Sequence, residues 1–211
     1  MDFNTALTAF LEKYPALNAV KEELIRSYEL IVYSYSSRKK VLVCGNGGSA
    51  ADSEHIVGEL MKGFEKRRPL PESDRRLLEK TPHGAELAEK LQKPLRAISL
   101  VSQSGVISAC ANDVDPALVF AQQVWGYGDE GDVLIALSTS GNSKNVVYAA
   151  EAAKALGVKT IAITGEKESA LSSLCDISLR LPAQSPKDVQ ELTLPVYHFL
   201  CLAVENSFFT E

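Results

Sequence analysis

Twice along this chain an apolar strand runs straight into a small, hydroxyl- and glycine-rich turn that opens a helix. The first copy reads Val41-Leu42-Val43-Cys44-Gly45-Asn46-Gly47-Gly48-Ser49 and the second Val133-Leu134-Ile135-Ala136-Leu137-Ser138-Thr139-Ser140-Gly141-Asn142-Ser143. At a helix N-terminus, unpaired backbone N–H groups and the positive end of the helix dipole converge, and small residues let an anion come close. A single turn of this kind is an ordinary strand-to-helix connection. Two of them, each adding serine hydroxyls, read as phosphate cradles built from Asn46, Gly47, Gly48 and Ser49 and from Ser138, Thr139, Ser140 and Ser143. The ligand they predict is a small phosphorylated molecule.

Between and after the cradles, strand and helix alternate. Strands are expected at 39–44, 96–101, 131–138, 158–164 and 176–181. Helices are expected at 49–63, 104–111, 116–125, 142–156, 168–173 and 187–208. Near-continuous Val/Ile/Leu strands separated by helices require a parallel sheet covered on both faces, so the fold class is a three-layer α/β/α sandwich. Two helices, 4–13 and 15–37, precede it, the second carrying Val20, Leu24, Tyr28 and Ile31 at helical spacing. Residues 65–95 break the rhythm with charge clusters and prolines at 69, 71 and 82, which reads as a surface excursion or lid on a single domain spanning 1–211. The charges read first as a solvated face; in the lid alternative, Arg67 and Arg68 would close over a sugar phosphate.

A formal charge of −5 offers no basic field for nucleic acid. No apolar run reaches membrane-spanning length, and Met1-Asp2-Phe3-Asn4 does not open a secretion signal, so the expected location is the cytoplasm. The four cysteines, Cys44, Cys110, Cys175 and Cys201, are scattered through apolar stretches and read as reduced core residues.

His55 and Glu59 stand four apart on the helix after the first cradle, on one face and about a turn above the phosphate site. Alone, such a pair is a weak surface ion pair. Directly behind a cradle it faces the place into which a sugar held by its phosphate would extend.

Gly45 to Asp52, Glu54-His55, Glu59-Leu60 and Ser138 to Ser143 resemble the sugar-isomerase (SIS) domain family, with its flavodoxin-like fold. Ala111-Asn112-Asp113, Val119 to Val124, Gly131 to Leu134, Thr164-Gly165 and Val189-Gln190-Glu191 extend the likeness to the phosphoheptose isomerase branch. The resemblance implies interconversion of sedoheptulose 7-phosphate and glycero-manno-heptose 7-phosphate through an enediolate, with Glu59 and His198 as the catalytic pair. It implies Asn112, Asp113 and Gln190 as further substrate-binding residues. It also implies a zinc ion held by His55, Glu59, Gln190 and His198, and a homotetramer with sites at subunit interfaces. Gln190 and His198 lie eight apart, a rise of roughly 12 Å on a continuous helix. Either their side chains stretch toward a midpoint or a neighbouring subunit supplies one.

Three positions depart from the branch: Gly63 stands where an arginine is common, Ser102 to Gly105 lack an aspartate, and Thr193 replaces a histidine. A non-catalytic sugar-phosphate sensor or tetrameric scaffold of the same family is the competing reading, and a phosphosugar lyase or aminosugar isomerase a third. Retention of His55, Glu59 and His198 favours the isomerase, since a scaffold needs none of them.

Overall fold

The computed structural model describes residues 2–209. Helices α1 (Phe3–Lys13) and α2 (Lys21–Ser36) flank a 3-10 turn, Pro15–Val20, where a continuous helix to Ser37 is expected. Pro15 suits only a helix start, and the tighter turn buries both Leu17 and Val20. The sandwich follows as β1 (Val41–Cys44), α3 (Gly48–Met61), α4 (Glu72–Leu78), α5 (Gly84–Lys90), β2 (Ala97–Ser99), α6 (Ser104–Asp113) and α7 (Ala121–Tyr127). It ends with β3 (Val133–Leu137), α8 (Lys144–Ala155), β4 (Lys159–Gly165), α9 (Ala170–Leu174), β5 (Ile177–Leu181) and α10 (Pro186–Phe208). The helix expected over 116–125 is instead a Pro116–Leu118 turn capped by Asp115, with α7 starting only at Ala121.

All five strands are parallel in the order β2-β1-β3-β4-β5. The chain leaves β1 toward β2 on one side and returns to β3 on the other, so the strand order reverses between β1 and β3. Doubly wound sheets bind ligands at that reversal, outside the carboxyl ends of the strands. Cys44 pairs with Ala136 there, which sets the two glycine- and serine-rich turns side by side.

Alternate strand residues feed two cores. Val41, Val43, Ile135, Ile161 and Leu179 face α1, α2, α3 and α10, whereas Leu42, Cys44, Leu134, Ala136 and Ala162 face α6 to α9. The small, fully buried face of α8, Val146, Ala149, Ala150 and Ala153, lets that helix lie close on the sheet. All four cysteines are free thiols in or beside these cores, and burial pushes Cys201 up to about 12 and Cys175 up to about 11.

The 65–95 excursion is clamped at its base. Pro69 and Gln92 form an antiparallel bridge, the Lys93 N–H donates to the Arg68 carbonyl at 2.7 Å, and Lys93 pairs with Asp74 at 2.7 Å. Arg68 contradicts both the solvated-face and the lid expectation. It is fully buried, donating from Nε to Glu205 at 2.7 Å, from Nη1 to the Leu60 carbonyl at 2.7 Å and from Nη2 to that of Glu59 at 3.1 Å. A guanidinium spent on three internal acceptors pins the excursion to the end of α3 and cannot close over a ligand. Arg67 remains exposed, on the wall of a cleft of about 850 Å³ between α1 and α10 that also has Phe10, Tyr14 and His198 on its walls. No helix among the described residues is long and apolar enough to cross a membrane.

Candidate active site

Gly47, with φ +56°, turns the chain from β1 into α3, a backbone that favours glycine. A Cβ on Gly45 would stand 2.6 Å from the Ser49 carbonyl, and one on Gly48 would stand 2.6 Å from the Gln190 amide nitrogen. The first turn is therefore closed to larger residues on two sides. Among the described residues, no intramolecular hydrogen bond engages the backbone N–H of Gly47, Gly48 or Ser49. In the second turn, buried Ser138 places its Oγ 3.1 Å from that of Ser143, and Gly141 takes φ +65°. Asn142 holds this turn, its Nδ2 donating to the Ser140 carbonyl at 2.9 Å while its Oδ1 accepts from the Ala170 N–H at 3.0 Å. The turns are tied to each other by a reciprocal amide pair, Asn46 with Asn145, at 2.9 Å in both directions. Sequence reasoning missed Asn145, an asparagine two residues past the Ser-Thr-Ser-Gly-Asn-Ser string.

From the first turn, α3 runs beside α10 in the same direction. Gly48 meets Gln190, the middle of α3 meets Tyr197 and His198, and the end of α3 is held through Arg68 to Glu205. His55 Nδ1 lies 2.9 Å from the Tyr197 hydroxyl and Nε2 lies 3.1 Å from Glu59 Oε1. Lys62 Nζ donates to Glu59 Oε2 at 3.1 Å. The His55 and His198 rings stand edge to face, centroids 5.0 Å apart, and His198 Nε2 is buried without a hydrogen-bond partner. Burial, and then the neighbouring His55, hold the His198 imidazole below the ordinary histidine value, which keeps it neutral near pH 7. Asp52, half-buried and 3.4 Å from the Tyr197 hydroxyl, has its carboxyl pushed up by desolvation. A carboxylate and a neutral imidazole on the helices that lead from the glycine-rich turn are the groups that proton transfer next to a carbonyl requires.

A SIS domain model matches residues 2–92 and another matches 104–203. The phosphoheptose isomerase of a Nitratiruptor species is 36% identical over 203 residues, covering 94% of this chain and 95% of that protein. That of a Helicobacter pylori strain is 35% identical over 193 residues, covering 92% and 88%. The chain belongs to the phosphoheptose isomerase family of SIS domain proteins. The solved structure of phosphoheptose isomerase GmhA from Neisseria gonorrhoeae superposes with a TM-score of 0.74 at 28% identity, covering 97% of this chain and 95% of that one.

Within this phosphoheptose isomerase relative, the structure brings His55, Glu59 and His198 together and leaves Gln190 two turns of α10 away, against Gly48. The pattern His, Glu, His suits zinc by donor type, and the unpartnered His198 nitrogen is a free donor atom. No three His, Cys, Asp or Glu side chains among the described residues stand at metal-holding spacing. Gln190 joining that set within one chain is therefore not what the fold shows, because the rise of α10 separates it from His198. Asn112 and Asp113 bond each other at 2.7 Å on the exposed end of α6, with no hydrogen bond to either cradle turn. The departures also have structural accounts. Lys62 brings a cation to Glu59 where Gly63 cannot, and Thr193 is buried with its hydroxyl donating to the Val189 carbonyl at 2.8 Å. Ser102 donates to Glu54 at 2.9 Å.

Proposed function

We propose that this chain is a phosphosugar aldose–ketose isomerase that converts sedoheptulose 7-phosphate to D-glycero-D-manno-heptose 7-phosphate through an enediolate. The observation that carries the proposal is the convergence of Glu59, His55 and His198 on two parallel helices whose upper ends form one of a pair of joined cradles.

The phosphate docks on the N–H groups of Gly47, Gly48 and Ser49 and on the hydroxyls of Ser49, Ser138, Ser140 and Ser143, with Asn46 and Thr139 beside it. Gln190, packed on Gly48, borders the same pocket, and Asn112 and Asp113 complete a site shared with a second copy of the chain. Glu59 takes the proton from the carbon next to the ketose carbonyl. The electron pair of that C–H bond forms the carbon–carbon double bond, and the carbonyl oxygen takes up the charge. Return of the proton to the former carbonyl carbon, with loss of the neighbouring hydroxyl proton, yields the aldose. His198, neutral and uncommitted at Nε2, exchanges protons with the substrate oxygens. Lys62 and His55 hold the two oxygens of Glu59 so that its carboxylate has a single orientation.

A divalent ion, zinc by donor type, would take donors from His55, Glu59 and His198 once their side chains drew closer than the described residues hold them, with Gln190 contributed from elsewhere in a homotetramer. When bound, it supplies positive charge to the enediolate oxygens. The apolar wall formed by Phe10, Tyr14, Phe199 and Leu202 supports assembly. The scattered free thiols support a cytoplasmic setting. A mass near 22.9 kDa by light scattering at micromolar concentration would remove the tetramer. Residues 65–95 are an accessory elaboration of the one domain.

Solvent deuterium incorporated next to the carbonyl of sedoheptulose 7-phosphate tests the activity. Glu59→Gln should lower that exchange by about 10²- to 10⁴-fold without loss of fold. Absence of exchange by the parent protein while it still binds the sugar phosphate would favour the sensor reading.

A further inference from the structure

One buried group in the cluster has no part in the chemistry above. Tyr197 lies in the apolar run Val196 to Leu200 of α10, is only 2% exposed and sets its ring at 75° to that of His55, centroids 5.5 Å apart. Its hydroxyl has two neighbours, His55 Nδ1 at 2.9 Å and Asp52 Oδ1 at 3.4 Å, and one hydrogen to give.

The other nitrogen of His55 decides where that hydrogen goes. Nε2 faces Glu59 Oε1, an oxygen that only accepts, while Glu59 Oε2 is already held by the Lys62 ammonium, which only donates. Nε2 must therefore carry the hydrogen of the neutral ring, which leaves Nδ1 as the lone-pair nitrogen. We propose that Tyr197 is the positioning residue of this site, donating its hydroxyl hydrogen to His55 Nδ1 and so fixing the imidazole as the tautomer that turns Nε2 toward Glu59. A histidine anchored at one nitrogen by an outer hydrogen bond is oriented to offer the other. The hydroxyl is itself immobile, because the ring that carries it is packed between α3 and α10. Asp52, farther away, lies beside the hydroxyl and is not its recipient.

The hydrogen bond does not depend on the proposed divalent site. The test uses the full chain, metal-free and ¹⁵N-labelled at its three histidines, at about pH 8, above the ordinary histidine pKa. In the parent, the His55 resonances should show Nε2 protonated and Nδ1 unprotonated but hydrogen-bonded. Tyr197→Phe keeps the buried ring and removes only the hydroxyl, so Nδ1 should move to the resonance of a free lone pair. Asp52→Asn should leave Nδ1 where it is. A protonated Nδ1 in the parent, an Nδ1 resonance indifferent to Tyr197→Phe, or one displaced by Asp52→Asn would each overturn the assignment.

Discussion

Two places in this molecule gather successive backbone N–H groups toward a single point, and they differ in what answers them. At residues 64–66, the N–H groups of Phe64, Glu65 and Lys66 converge on the carboxylate of Glu205 at 2.8, 2.9 and 3.2 Å, and Arg68 completes the ring. At the end of β1, Gly47, Gly48 and Ser49 present successive N–H groups at the start of α3, yet no carboxylate of the described residues bonds them. The physics of a backbone anion nest is shared. Where the chain supplies its own anion from α10, the nest is a structural knot, and where it supplies only donors, the nest is the proposed phosphate site.

Breaking the filled nest should produce the largest change. Glu205 and Arg68 are both fully buried, and removing one partner of such a pair commonly costs about 3–5 kcal/mol because the other charge is stranded. Arg68→Ala should lower the unfolding free energy in urea by that amount. Measured loss under about 1 kcal/mol would mean that the pair behaves like a surface bridge. The same knot makes acid sensitivity specific. Burial alone would raise the Glu205 pKa, but the N–H groups of Glu65 and Phe64 and the Arg68 guanidinium outweigh it and hold it below the ordinary glutamate value of 4.5. The unfolded chain then binds more protons than the native one across that interval, so stability rises with pH there. The contribution is complete above pH 4.5 and is lost as pH falls through the depressed native value. Urea midpoints of the parent should fall below that pH more steeply than those of Glu205→Gln, and parallel curves would remove Glu205 as the cause.

This contrast also explains what could be read before the structure. The cradles were legible because the chemistry is local: a small-residue string after a β-branched run dictates both the turn and its exposed donors. The parallel sheet followed from the uninterrupted apolar strands, and His55 with Glu59 from a spacing of one helical turn. Arg68 was misread because its partner lies 137 residues away, so a charge cluster beside a proline looked like surface. Tyr197 was hidden by its apolar neighbours, since nothing in Val196 to Leu200 marks which side chain carries a hydroxyl toward α3. Gln190 was grouped with His198 from the family resemblance, and only the parallel run of α3 and α10 shows that it stands at the cradle end. Local patterns encode the open site, whereas the knot exists only through long-range contact.

Weakening the open nest should spare stability and lower affinity instead. A hydroxyl hydrogen bond to a phosphate contributes about 1.5–3 kcal/mol, so Ser140→Ala, at an exposed position, should raise the Kd for sedoheptulose 7-phosphate by tenfold or more. Its urea midpoint should match the parent. Unchanged affinity in calorimetric titration would mean that the second turn is not part of the phosphate site.

The smallest effect should come from the link between the two cradles. Asn46 and Asn145 exchange two exposed amide hydrogen bonds, each worth about 0.5–1.5 kcal/mol at most in water. Neither asparagine is needed to fold its own turn, because Gly47 and Asn142 already shape the two turns. Asn145→Ala should therefore change stability by less than about 1 kcal/mol while raising the sugar-phosphate Kd a few-fold, because the turns must then be aligned on binding. The bridge belongs to the pair, so Asn46→Ala with Asn145→Ala should lose little more affinity than Asn145→Ala alone. Fully additive losses in that cycle would show that the amides act separately on the ligand, and the two cradles would then have to be treated as independent sites.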